Sequence, residues 1–239
     1  MKLLKSTFFV SIMAISACST TSESIISTEV KTLKKYSFTD KSYNVWDTAC
    51  RSNSHVRLDR RYQTSKNSFE FIVHKGEIGG CPPDKKPTLE GDAPFSERAE
   101  VNTDNVRLPN GRYIWSATID IDRPCKPAKR NDIFQIHDGG EKGGPPSQLG
   151  IEHWNTFKTN QHYNTGKKVP DRPFNVIADI IIESNSVKVT YFIDGEEWKT
   201  TWAKRENTGK VFVRFGSYRI NSNCTYKSKY TNVNFMRVK

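Results

Sequence analysis

The chain has 239 residues, 35% of them hydrophobic and 26% charged, enough for one domain with a sizeable core and too little for two large ones. Its formal net charge of +11 points to an acidic partner or to a solvated basic surface. No helix-turn-helix, zinc-finger or RNA-binding signature occurs in it, which argues against nucleic acid as that partner.

The N-terminus reads as an export signal. Lys2 and Lys5 form a positive region, Phe8 to Ile15 is an apolar run, and Ile15-Ser16-Ala17 brings small residues up to Cys18. Residues 1–17 are therefore expected to be a secretory signal peptide, with an apolar core too short for a permanent membrane helix. Cysteine after Ile-Ser-Ala resembles a bacterial lipobox. The resemblance implies that Cys18 is acylated, that 18–35 is a flexible tether, and that 36–239 is the folded domain. Ser19, rather than an Asp, after Cys18 is similar to lipoproteins sorted to the outer membrane. Loss of Lys2 and Lys5 with the signal leaves a charge of +9, and for an exported chain an acidic polysaccharide is the fitting partner.

Export also bears on the cysteines. Cys50, Cys81, Cys125 and Cys224 are an even set in an oxidising compartment, so two disulfides are expected, with three connectivities open. No CxxC spacing occurs, no histidine stands near a cysteine at zinc-site spacing, and no acidic loop resembles a calcium motif, so no metal or other cofactor is expected.

Leu33 to Asp47 has no clear period and reads as extended or loop. Ser68 to His74 alternates as a half-buried strand does. Lys75 to Phe95, rich in glycine and proline and containing Cys81, reads as a long surface loop. Strands are then expected at Glu97 to Val101, Arg112 to Asp122 after the Pro109-Asn110-Gly111 turn, Asn131 to His137, Gln148 to Trp154 and Phe174 to Glu183. Val187 to Ile193 and Glu196 to Trp202 flank Asp194-Gly195, a tight hairpin signal, and Lys210 to Arg219 and Tyr230 to Val238 close the chain. No stretch of twelve residues carries a helical period. The expected fold is all-β, a sandwich or jelly roll.

Three of these strands carry polar pairs that alternation puts on one face: Arg98 with Glu100, Gln135 with His137, and Arg214 with Tyr218. Ile136 belongs to the opposite face from its neighbours, as do Val213, Phe215 and Ser217. An imidazole, a phenol, an amide and two guanidinium groups make an acid-base site for an anionic substrate. A uronic acid residue has a C5 proton next to its carboxylate. Eliminating the 4-O-linked sugar requires neutralising that carboxylate, removing the proton and protonating the leaving oxygen. Arg98 and Gln135 suit the first task. His137 suits the second, an imidazole being a neutral base near its ordinary pKa of ~6.5. Tyr218 suits the third, or serves as both base and acid where both groups lie on one face of the sugar.

Arg98-Ala99-Glu100-Val101, Gln135-Ile136-His137 and Arg214-Phe215-Gly216-Ser217-Tyr218-Arg219 resemble, in order and separation, the signature strands of jelly-roll polysaccharide lyases. Those strands read R-[ST]-E-L, Q-[IV]-H and [F/Y]-K-x-G-x-Y in alginate lyases, and are similar in heparin lyase I and glucuronan lyases. Ala99, Val101 and Arg214 depart from the alginate pattern, and Arg219 after Tyr218 is closer to the heparin and glucuronan versions. The resemblance covers Phe95 to Asn221. It implies a concanavalin-like jelly-roll sandwich with a concave substrate-binding sheet, and a monomeric lyase acting on a uronate polymer such as alginate or glucuronan, with Arg98, Gln135, His137 and Tyr218 catalytic and Arg214, Arg219, Glu100 and Asn221 binding substrate. By the residues alone, Glu100 is as well read as an ion-pair partner that orients Arg98.

Two other readings stand beside it. A non-catalytic carbohydrate-binding lipoprotein would use Trp46, Trp115, Trp154, Trp198 and Trp202 as stacking platforms. A glycoside hydrolase needs two facing carboxylates, and Asp120 with Asp122 is the one such pair found on a strand. His55, His74, His153 and His162 are outside every motif, His153 being nearest to the expected site. Asp138 to Gln148, rich in glycine, reads as a connector or a lid beside His137.

Overall fold

The computed structural model describes residues 36–42, 47–48, 55–58, 68–74, 96–103, 108–122, 130–138, 145–152, 155–161, 166–205, 211–220 and 224–239, with side chains described for all of these except 39–42, 47–48, 55–58, 96–98, 130 and 219–220. The signal peptide, tether and acylation expected over residues 1–35, and the long loop expected at 75–95, lie outside the described residues. So do Cys18, Cys50, Cys81 and Cys125; Cys224 is disulfide-bonded.

Every regular element among the described residues is a strand: β1 (Phe38–Ser42), β2 (Asp47–Thr48), β3 (His55–Leu58), β4 (Phe69–Val73), β5 (Ser96–Asn102), β6 (Gly111–Ile121), β7 (Arg130–His137), β8 (Ser147–Glu152), β9 (Phe157–Thr159), β10 (Phe174–Ile182), β11 (Ser186–Ile193), β12 (Glu196–Lys204), β13 (Phe212–Ile220) and β14 (Tyr226–Val238). They form two antiparallel sheets, the jelly-roll sandwich expected. The eight-stranded sheet runs β12-β11-β10-β6-β14-β4-β3, with β1 paired to β14. The six-stranded sheet runs β2-β5-β13-β7-β8-β9. The β11–β12 hairpin turns on Asp194 (φ 51°) and Gly195 (φ 82°), the two positive φ angles that a two-residue turn matching strand twist requires.

An aromatic layer joins the sheets. Trp115 of β6 lies 4.5 Å from Phe134 of β7 and 5.5 Å from Phe215 of β13, ring centre to ring centre. Phe215 also meets Phe69 and Phe71 of β4 edge-on, at 5.1 and 5.9 Å. Each of these rings is at most 3% exposed, and a buried aromatic side chain contributes on the order of 2–3 kcal/mol of transfer free energy. The strands that carry the polar pairs are thus fixed from behind by the core.

On the outward face of the eight-stranded sheet, Tyr36, Phe38 and Val238 cover a second apolar patch made by Ile114, Ile177 and Phe192. Tyr36 also donates to Asp179 Oδ2 (2.7 Å), and Arg112 holds the same carboxylate with two N–H donors, at 2.8 and 2.6 Å.

Candidate active site

β5, β13 and β7 are neighbours, so the three polar pairs come together in register: Tyr218 stands opposite Arg98 on one side and Asp132 on the other, and Arg214 opposite Gln135. The facing is set by what points the other way. Val213, Phe215 and Ile136 are fully buried in the core. The Ser217 hydroxyl meets that of Ser228, on the opposite sheet, at 2.9 Å. Arg214, Tyr218, Gln135 and His137 therefore leave the outward face of the six-stranded sheet.

A bulge tunes this face. Ile133 and Phe134 both belong to the core, although strict alternation allows only one of them. Asn131 also turns inward, its amide donating to the Tyr226 phenol at 2.7 Å. The register slips at the same place against both neighbours, between Asp132 and Phe134 toward β8 and between Phe215 and Tyr218 toward β13. Asp132 is thereby carried to the face of Gln135 and His137. Its Oδ1 lies over Gly150, 2.6 Å from where a Cβ would stand. From the other sheet, the buried Tyr230 phenol donates to the carbonyls of Gly216 (2.7 Å) and Ile133 (3.2 Å), two backbone groups at the irregularity.

Gly216 is the other local device. Its φ is +137°, and a Cβ there would stand 2.4 Å from the Ala99 carbonyl oxygen and 2.9 Å from Glu100 Cα. Only glycine fits both the angle and the approach of β5.

The side chains form a connected set. Gln135 Nε2 donates to Glu100 Oε1 at 2.9 Å, and Gln135 Oε1 is 2.9 Å from His137 Nε2. Arg214 Nη1 is 4.0 Å from Glu100 Oε2. The Phe212 ring stacks on His137, with centres 4.9 Å apart and planes 4° from parallel, and the Arg214 guanidinium stands 5.5 Å from that ring centre. Glu100 is fully buried, whereas His137 and Tyr218 are partly exposed. The carboxylate expected to bind substrate thus sits beneath Gln135 and Arg214. The side chains of Arg98 and Arg219, and all of Asn221, lie outside the described residues, as do His153 and most of the glycine-rich segment after Asp138.

Sequence reasoning missed Phe212, Asp132 and Tyr230. Phe212 meets His137 only once the β13–β7 register is known. Asp132 is an odd number of residues from Gln135, so alternation without a bulge assigns it to the core. Tyr230 belongs to another sheet. The stacking reading needs correction at Trp115, which is fully buried in the core and cannot meet a sugar. Trp198 packs against Phe157 at 5.6 Å, and Trp202 is exposed; Trp46 and Trp154 lie outside the described residues. Asp120 and Asp122 line a cavity of about 500 Å³ on the eight-stranded sheet, with Arg172, Lys227 and Lys229, apart from the Gln135–His137 face. No group of His, Cys, Asp and Glu among the described residues is arranged to hold a metal ion.

No protein-family model matches the sequence, and no curated protein does. The solved structures to which the chain is similar include alginate lyases, the family whose motifs its strands resemble. An alginate lyase from Corynebacterium sp. has 10% identity over 75% of this chain and 80% of that one, with a TM-score of 0.48. Alginate lyase AlgAT5, of polysaccharide lyase family 7, has 15% identity over 76% and 81%, with a TM-score of 0.47. Alginate lyase AlyC3 in complex with dimannuronate has 12% identity over 72% and 76%, with a TM-score of 0.45. At this identity and overlap the likeness gives the chain neither an activity nor a substrate.

Proposed function

We propose that this chain is a polysaccharide lyase that cleaves a uronate-containing acidic polysaccharide, alginate or a glucuronan-like polymer, by β-elimination. The observation that carries the reading is the hydrogen-bonded Gln135–His137 pair on the outward face of the six-stranded sheet, in register with Arg214 and on the strand pair that carries Tyr218. Binding a sugar requires neither an imidazole nor a phenol beside a carboxylate receptor; elimination uses all three.

The Gln135 amide has two N–H donors and gives one to Glu100. The other, with the Arg98 guanidinium, receives the uronate carboxylate and stabilises the charge that grows on it as the C5–H bond breaks. A base takes the C5 proton. The C4–O bond then breaks, the C4–C5 double bond forms, and the leaving oxygen takes a proton from an acid. His137 as base with Tyr218 as acid fits a substrate whose two groups lie on opposite faces of the ring. Tyr218 in both roles fits one whose groups share a face. Arg219 and Asn221 extend the binding surface along the polymer, and Arg214, buried beside Glu100 and Phe212, adds its charge from beneath, consistent with the net charge of +11. The chain is further proposed to act as an exported monomer anchored through Cys18, without a cofactor.

The test is ultraviolet absorbance by the unsaturated uronate as purified protein meets alginate, polyglucuronate, heparin, hyaluronan and ulvan in turn. A rise on one polymer, abolished by His137→Ala and by Tyr218→Phe, is the expected result. No rise on any of them, with retention on one, would replace the lyase by a binding module.

A further inference from the structure

The buried Glu100 has a consequence for the proton chemistry of His137. An ionised carboxylate only accepts hydrogen bonds, so the Gln135 atom 2.9 Å from Glu100 Oε1 has to be the amide nitrogen. That choice turns the amide oxygen toward His137, 2.9 Å from Nε2. An amide oxygen also only accepts, so Nε2 must carry the hydrogen. A neutral imidazole has one N–H and one lone pair, and the lone pair is left on Nδ1. The stacked Phe212 ring holds the imidazole plane. Arg214, with Nη1 4.0 Å from Glu100 Oε2, supplies the charge that balances a fully buried carboxylate.

We propose that Glu100 is a positioning residue: acting through the Gln135 amide, it fixes neutral His137 as the Nε2–H tautomer and makes Nδ1 the nitrogen that accepts a proton. This rests on the lyase reading only for its consequence in turnover; the tautomer itself is a property of the resting protein. It also gives a reason to keep a charge beneath the site where an apolar residue would bury at less cost. Leucine at this position would leave the amide free to flip and the imidazole free to take either form.

Glu100→Gln is nearly isosteric, and its outcome follows from the same rules. Arg214 draws the new amide oxygen toward itself, which turns the new amide nitrogen toward Gln135. Gln135 must then flip, presenting its own nitrogen to His137 Nε2, and the tautomer reverses to Nδ1–H.

The experiment is imidazole nitrogen NMR on the full chain with isotope-labelled histidine, above the pH at which the rings are neutral. His137→Ala identifies the His137 signals among those of the five histidines. In the wild-type protein Nε2 is expected to be the protonated, pyrrole-type nitrogen and Nδ1 the unprotonated one; in Glu100→Gln the two exchange character. A wild-type ring protonated on Nδ1 overturns the proposal, and so does a Glu100→Gln ring that keeps the wild-type tautomer. If that variant does not fold, the wild-type spectrum alone still decides between the two tautomers. On a polymer that the protein cleaves, Glu100→Gln lowers kcat/KM by at least ~10-fold, because the flip displaces both the proton acceptor and the Gln135 N–H that receives the carboxylate. Should no polymer be cleaved, the lyase reading fails while the tautomer measurement stands.

Discussion

The two sheets treat polar residues on their outward faces differently. On the eight-stranded sheet, β14 alternates plainly: Tyr226, Ser228 and Tyr230 are buried, while Lys227 and Lys229 are exposed to water. Its outward ion pair Arg112–Asp179 joins an arginine side chain that is 45% exposed to a carboxylate that is 8% exposed. On the six-stranded sheet, Glu100, Asp132, Gln135 and Arg214 also face outward, yet none is more than 8% exposed. Burying polar and charged groups costs free energy unless they are hydrogen-bonded and balanced. Lysine and threonine in water would complete a sheet face at less cost. The buried Asp179 of the eight-stranded sheet is closed over by Tyr36 and Arg112, whereas on the six-stranded sheet Glu100 and Gln135 lead to His137, which with Tyr218 is open to solvent; that open face is where the proposed chemistry is placed.

The contrast can be broken most severely at Gly216. Gly216→Ala puts a Cβ 2.4 Å from a backbone oxygen at a φ of +137°. It should cost more than ~3 kcal/mol by denaturant unfolding, or prevent folding. Next are substitutions that spare the scaffold and empty the site. His137→Ala should lower kcat by at least ~100-fold while the unfolding midpoint moves little; Gln135→Leu should lower it as much and also cost about 1–3 kcal/mol, because the buried Glu100 loses its amide donor.

Tyr230 links the two sheets. Tyr230→Phe removes hydrogen bonds to the Gly216 and Ile133 carbonyls and should cost about 2 kcal/mol, with some loss of turnover because the bulge that aligns Asp132 with Gln135 loses its support. Burial raises the pKa of Tyr230 and of Tyr191 above the ordinary value for a phenol. The unfolded chain releases these protons from pH ~10, whereas the folded chain keeps them. Their contribution to stability is thus complete below pH ~10 and declines as the pH rises further. Denaturant midpoints measured across that range should fall, and less steeply in Tyr230→Phe. On the scaffold's outer face, Arg112→Ala removes two hydrogen bonds from the buried Asp179 carboxylate, which keeps that of Tyr36, and should cost about 1–2 kcal/mol.

Much of this arrangement could be read from alternation. The strands β4, β6, β7, β8 and β10 to β14 coincide with apolar periods, and the facing of Gln135 and His137, and of Arg214 and Tyr218, follows from a period of two. Alternation fails where the backbone leaves it. The bulge at Ile133 reverses the facing of Asp132 relative to Gln135, and no residue in Asn131-Asp132-Ile133-Phe134 announces it. β14 begins at Tyr226 rather than Tyr230, since Lys227 and Lys229 face water and dilute the apolar signal. β1, β2, β3 and β9 have two to five residues each, too short to carry a period. Trp115 looked like a platform because tryptophan suits both a core and a sugar; its neighbours in β6 decide for the core. The placement of Glu100 beneath Gln135 is a tertiary fact, since these two residues are 35 positions apart in the chain.

The central claim, elimination rather than binding or hydrolysis, is tested most directly by the mass of the products formed from the polymer that responds. Elimination breaks C4–O without adding water, so each fragment with a new non-reducing end should be lighter by one water than its hydrolysis counterpart. Fragments whose masses together exceed that of the polymer by one water per cleavage would contradict the account, as would an intact polymer across the whole panel.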